Sequence, residues 1–135
     1  MIEGISHITF VVRDLEKATC FWQTVFDAEE VYASGDDTHS VAREKFFVVG
    51  NLWIAIMEGT PRLDKSYDHI AFKITDEQYD DYAQQIKTAG VETIPSRSRI
   101  EGEGRSLYFY DYDNHLFEIH TGTLDERLNK YNAAG

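Results

Sequence analysis

Apolar and polar residues alternate along residues 4–12, GISHITFVV, in a β-branched and aromatic run that predicts a strand with every second side chain on the same face. Asp14 follows where a helix N-cap stands. In LEKATCFWQTVFDA, Leu15, Ala18, Phe21, Trp22, Val25 and Phe26 recur at helical spacing and form one apolar stripe. KFFVVG and LWIAIME then read as two strands joined at Gly50-Asn51, a hairpin signal. Beyond a polar linker from Gly59 to Ser66 the order begins again. YDHIAFKI predicts a strand, Asp76 a cap, and EQYDDYAQQIKTAG a helix closed by glycine. VETIP, SLYFYDY and HLFEIHT supply three further strands, the last two joined through Asp113-Asn114, and a short helix from Leu124 closes the chain.

The repetition extends to the residues themselves: His7-Ile8-Thr9-Phe10 matches His69-Ile70-Ala71-Phe72, 62 positions later. Two modules, about 1–60 and 66–122, with a C-terminal helical tail, describe an α+β fold. One such module buries a single face of a curved sheet, so two must pack together, within a chain or across a dimer, to make a core and a cleft. A chain of 135 residues, 42% hydrophobic, supports one such core and no second large domain.

The formal charge of −11 removes whole classes of partner, because a nucleic-acid backbone or an anionic membrane surface needs a basic footprint. A small anionic substrate remains compatible if a few arginines gather locally, which directs attention to Arg97, Arg99, Arg105 and Arg127. Cys20 is the only cysteine, so no intramolecular disulfide forms, and its surroundings predict a small apolar residue on the first helix. No stretch approaches the roughly 20 apolar residues of a membrane span, and a cytoplasmic location is expected.

Strand periodicity puts His7 and Thr9 on one face, His69 with Ala71, and Leu116, Glu118 and His120 together. A carboxylate at Glu118, inside an aromatic and aliphatic strand, is costly to bury unless a cation or hydrogen-bond donors compensate it. Two neutral imidazoles and one carboxylate suit a divalent transition metal with open positions. A lone strand histidine is ordinarily a hydrogen-bonded structural residue, and Glu118 alone could face solvent at a sheet edge. Equivalent histidines in a duplicated module, with a glutamate after a DYDNH turn, shift the balance to metal. His39, His115 and His120 rank below His7 and His69.

These residues resemble the vicinal oxygen chelate, or glyoxalase/bleomycin-resistance, superfamily, with its paired βαβββ modules and an Asp-x-Asp-Asn-His-x-x-Glu hairpin at Asp111 to Glu118. Over nearly the whole chain the sequence is similar to the fosfomycin-resistance proteins, in SHITF, AREKFF, LWIAIMEG, YDHIAF, EGEGRSLYFYDYDNHLFEIH and GTLDERL. The resemblance implies Mn(II) held by His7, His69 and Glu118, in a module-exchanged homodimer where His7 of one subunit joins His69 and Glu118 of the other. It implies contacts to the substrate phosphonate from Ser106, Tyr108 and Arg127, with Arg97 and Arg99 as weaker additions. Trp53 would stand beside the substrate methyl group and Thr9 beside the metal, and Arg105 is a further candidate charge near the anion.

Branches of this family open the same epoxide with glutathione, another thiol such as bacillithiol, or water. Water needs a base at neutral pH, whereas a thiol can arrive as thiolate. Glu44, in Arg43-Glu44-Lys45-Phe46, matches the general base of the hydrolytic branch, which implies hydrolysis of fosfomycin to a vicinal diol phosphonate. Taken alone, Glu44 reads as a strand-entry charge paired with Arg43 or Lys45. Ile100 and Gly102 stand where the thiol transferases have potassium-binding Asn and Ser, which argues against potassium dependence. The rival readings are a thiol transferase, separated by a product assay with and without thiol, a metal-free drug-binding dimer, against which three intact ligand positions argue, and a dioxygenase or isomerase of the same superfamily.

Overall fold

The structure, a computed structural model, describes residues 1–95 and 104–134, which fall into two compact units. The first unit comprises Met1–Lys65 together with Asp111–His115. Strand β1 (His7–Val12) is followed by Asp14, whose carboxylate accepts from the backbone N–H groups of Glu16 and Lys17 and caps helix α1 (Leu15–Phe26). The apolar stripe of α1 is buried as its spacing predicts, with Phe21, Trp22 and Val25 almost fully enclosed. Each such side chain contributes about 1.5–3 kcal/mol of transfer free energy. Asp27, in the left-handed region at φ 52°, ends the helix. Cys20 lies on this helix, as its surroundings predict, and is exposed.

Strands β2 (Glu29–Ala33), β3 (Glu44–Val49) and β4 (Leu52–Glu58) complete a four-stranded sheet of order β1-β4-β3-β2. Strand β1 runs parallel to β4, reached through the α1 crossover, and Gly50 at φ 60° allows the tight β3–β4 turn. The register fixes the faces. His7 pairs with Trp53, Thr9 with Ala55 and Val11 with Met57, while Glu44 pairs with Met57 and Phe46 with Ala55. These residues share one face; Val12, Phe47, Ile54 and Ile56 occupy the other and are buried.

The second unit, Ser66–Tyr110 with Leu116–Gly135, repeats this plan. Strands β5 (His69–Lys73), β6 (Thr93–Ile94), β7 (Ser106–Tyr110) and β8 (Leu116–His120) form a sheet of order β5-β8-β7-β6, again with the first and last strands parallel. A 3-10 turn (Asp76–Gln78) leads into helix α2 (Tyr79–Ala89), which ends at Gly90 with φ 69°, and helix α3 (Leu124–Ala134) follows β8. The capping differs from expectation: the Thr75 N–H donates to Gln78 Oε1 at 3.0 Å, while the Asp76 carboxylate is taken by Arg105. Phe109, Phe117 and Ile119 are buried on one face of this sheet, and Ile86 is the buried residue of α2. Glu118 and His120 take the opposite face with Ser106, Tyr108, His69 and Ala71.

The tip of the β7–β8 hairpin belongs to the first unit. There Asp111 Oδ1 accepts from the N–H groups of Asp113 and His115, and its Oδ2 lies 2.7 Å from His115 Nδ1. The ring of His115 meets Phe10 edge-on at 5.0 Å, and Asn114, at φ 68°, donates to the carbonyl of Arg62. Asp113 is 5% exposed and accepts the Arg13 N–H at 3.1 Å. Burial holds its carboxyl above the usual range, against the pull of the Arg13 hydrogen bond. Asp113 thus favours the fold most when protonated, and its contribution is lost as pH rises through its raised pKa. Asp113→Asn keeps the acceptor without the charge. The variant is expected to be more stable at neutral pH by about 1 kcal/mol, the scale of one buried, incompletely bonded group. Thermal midpoints of the two proteins should converge on acidification, and a variant less stable at neutral pH would contradict this account.

Candidate metal and substrate site

Each sheet presents its polar face to a cavity. In the second unit a cavity of about 310 Å³ is lined by His69, Ala71, Glu118, His120, Gly122, Thr123, Leu124 and Arg127. Tyr67, just before β5, accepts through its carbonyl from His69 Nδ1 at 2.7 Å, so Nδ1 carries a proton and Nε2 is the ring nitrogen turned toward Glu118. His69 Nε2 lies 3.0 Å from Glu118 Oε1. A proton on Nε2 makes this an ion pair; without that proton two acceptors converge where Glu118 is 5% exposed, and a cation completes them. A histidine whose second ring nitrogen donates to a backbone carbonyl is the arrangement found behind metal-ligating imidazoles. The pair fits a divalent metal.

Behind the carboxylate, Ser106 Oγ lies 2.5 Å from Glu118 Oε2 and 2.7 Å from His120 Nδ1. Arg127 Nη2 lies 3.4 Å from His120 Nε2. Tyr108 is buried, with its ring edge-on to His69 at 5.3 Å. Gly104, at φ 94°, packs so closely on Gly122 of the cavity wall that a Cβ would stand 2.7 Å from the Gly122 nitrogen. Arg105 points elsewhere: its guanidinium binds the carboxylate and carbonyl of Asp76 and stacks over Tyr79 at 4.1 Å. Arg97 and Arg99, with Ile100 and Gly102, lie outside the described residues.

In the first unit a cavity of about 220 Å³ is lined by His7, Thr9, Ser40, Glu44, Phe46, Trp53, Ala55 and Met57. The His7 ring stacks on Trp53 with centroids 4.0 Å apart, and its Nδ1 lies 2.9 Å from Ser6 Oγ. Glu44 is half-buried at the start of β3, where its N–H donates to Ser34 Oγ. Its carboxylate takes neither of the partners that a plain surface charge would use. Arg43 pairs with Asp36 and Glu58, and Lys45, on the opposite face, pairs with Glu16 and Glu30. Among the described residues of the single chain no three His, Cys, Asp or Glu side chains gather as a metal group: His69 and Glu118 meet in one unit, and His7 stands in the other.

Aligning the two sheets by register makes the duplication specific. Thr9 corresponds to Ala71, Ala55 to Glu118, Met57 to His120, and Glu44 to Ser106. Sequence reasoning set His120 aside because periodicity gives its face but not its contacts. Its signal was the shared parity with Glu118.

Residues 4–119 match the family described as the Glyoxalase/Bleomycin resistance protein/Dioxygenase superfamily. The fosfomycin resistance protein FosX of Listeria innocua is 59% identical over 131 residues, covering 97% of this chain and 98% of that one. The metallothiol transferase FosB of Shouchella clausii is 40% identical over 137 residues, covering 97% and 88%. Among solved structures, a Glu-to-Gln mutant of FosX from Listeria monocytogenes, complexed with Mn(II) and 1S,2S-dihydroxypropylphosphonic acid, matches with a TM-score of 0.88. It is 54% identical and covers 97% of this chain and 99% of that one.

Proposed function

Because the chain belongs to the glyoxalase/bleomycin resistance protein/dioxygenase superfamily and, within it, to the FosX-type fosfomycin resistance proteins, we propose that it hydrolyses the epoxide of fosfomycin to a vicinal diol phosphonate, with Mn(II) as its metal. The observation that carries the choice of water over thiol is the carboxylate of Glu44, which takes no ion pair from Arg43 or Lys45 and faces the cavity that holds His7 and Thr9. The greater identity to FosX than to FosB supports the same choice.

His69 and Glu118 hold the metal, with His7 as third ligand. When bound, Mn(II) supplies Lewis acidity, polarising the epoxide and the phosphonate. Glu44 accepts a proton from water as the water oxygen bonds to one epoxide carbon and the C–O bond on that carbon's far side breaks. The released ring oxygen takes up a proton and becomes the second hydroxyl, with the Thr9 hydroxyl beside it as a hydrogen-bond partner. Arg127 and Tyr108 bind the phosphonate, joined by Ser106 and Arg99, and Trp53 walls the substrate methyl group. Holding both ends of so small a substrate keeps the attacked carbon in line with the water.

The reading includes a homodimer in which His7 of one subunit completes the site formed by His69 and Glu118 of another, in a cytoplasmic protein. Supporting it are the separation of His7 from the other two ligands into a different unit and the exposure of Val11 and Trp53, each 37%, on the polar face of the first sheet. The described residues contain no helix long and apolar enough to cross a membrane. The test is phosphorus NMR of fosfomycin with metal-stripped protein, Mn(II) and no thiol. Diol phosphonate is expected, and a chelator abolishes it. Product that forms only when thiol is added would make the protein a transferase.

A further inference from the structure

His120 has no role in the chemistry above, yet it lines the cavity, touches Ser106 and Arg127, which do, and has its Nδ1 3.4 Å from Glu118 Oε2, farther than the 2.7 Å to Ser106 Oγ. Hydrogen accounting along this chain of contacts fixes what it does. A serine hydroxyl carries one proton, and a carboxylate only accepts, so at 2.5 Å Ser106 donates to Glu118 Oε2. With that proton committed, Ser106 Oγ is an acceptor toward His120 Nδ1 at 2.7 Å, which must therefore carry hydrogen. The other end gives the same answer independently. A guanidinium only donates, so Arg127 Nη2, 3.4 Å away, faces a bare Nε2. Both contacts select one neutral tautomer, with the proton on Nδ1.

We infer that His120 is a positioning residue: by donating from Nδ1 to Ser106 Oγ it turns the Ser106 proton onto Glu118 Oε2, leaving Oε1 aimed beside His69 Nε2. The inference rests on the reading of His69 and Glu118 as metal ligands. A carboxylate bonded on one oxygen loses the freedom to rotate, and a metal pair loses less entropy when its geometry is set in advance. The duplicated sheet supplies the contrast. At the position of His120 the first sheet has Met57, which cannot donate, and opposite it stands Glu44, the carboxylate left unpaired to serve as base. One cross-strand site is fixed and its counterpart is free.

The test uses the full-length protein and reads Mn(II) binding by electron paramagnetic resonance in the absence of substrate, with fosfomycin hydrolysis as a second readout. His120→Leu keeps the bulk and removes the donor. It is expected to weaken Mn(II) binding roughly 10–100-fold, the range seen when an outer partner of a ligand is removed. His120→Asn, whose amide nitrogen stands near the place of Nδ1, is expected to restore most of the affinity. Because His120 acts through Ser106, the double variant His120→Leu/Ser106→Ala is expected to bind no more weakly than Ser106→Ala alone. Wild-type affinity in His120→Leu, failure of asparagine to rescue, or additive losses in the double variant would each overturn the proposal. Wild-type protein that binds no Mn(II) would overturn the ligand assignment itself, and is seen before any variant is made.

Discussion

Replacing Glu44 by Gln is expected to lower fosfomycin hydrolysis about 10²–10⁴-fold, the usual worth of a positioned general base, while leaving Mn(II) affinity unchanged. The amide keeps the volume of the side chain and can still accept a hydrogen bond from water, so the cavity beside His7, Thr9 and Trp53 retains its shape. What it lacks is an oxygen able to hold a proton as the C–O bond breaks. Since Glu44 bears no salt bridge to Arg43 or Lys45, the substitution breaks no ion pair of the sheet, and folding stability should move little. Turnover followed by phosphorus NMR and metal binding followed by electron paramagnetic resonance separate the two effects. Equal turnover in the variant would return Glu44 to the status of a surface charge.

Glu118→Gln is expected to remove Mn(II)-dependent activity and Mn(II) binding together, by more than the roughly 10–100-fold that a lost outer partner costs, because a direct ligand goes. Glu118 is buried with His69 Nε2 3.0 Å away, a pair that a metal or a proton can bridge. Thermal melts read the loss of metal binding directly. Saturating Mn(II) stabilises a protein that binds it in the folded state alone, by about 2.7 kcal/mol at a hundredfold excess over Kd. The wild type should gain that increment and the variant should not. A variant that still gains stability from Mn(II) would remove Glu118 from the ligand set.

The parts of this protein that repeat were legible in the sequence, and the parts that depend on register were not. The His7 and His69 tetrapeptides announced a duplicated module, and the spacing of Leu15, Phe21, Trp22 and Val25 gave the buried face of α1 directly. Strand β2 went unseen because EEVYA opens with two glutamates, lies at a sheet edge and carries a bulge between Glu30 and Tyr32, so no clean alternation survives. Thr75 and Gln78 took the cap expected of Asp76, since a capping pair three residues apart satisfies the turn and leaves Asp76 to Arg105. That Glu44 shares a face with His7 follows only through β4, whose pairing with both strands no local pattern encodes. The DYDNH segment read as a turn, but that its Asp113 would meet Arg13 across a sequence separation of 100 residues could not be read from any window.

The correspondence between the two sheets carries a consequence for how this protein tolerates change. Here the copies have specialised: Ala55 stands where Glu118 stands, Met57 where His120 stands, and Ser106 where Glu44 stands. Internal symmetry therefore supplies no second copy of these side chains at the matching positions.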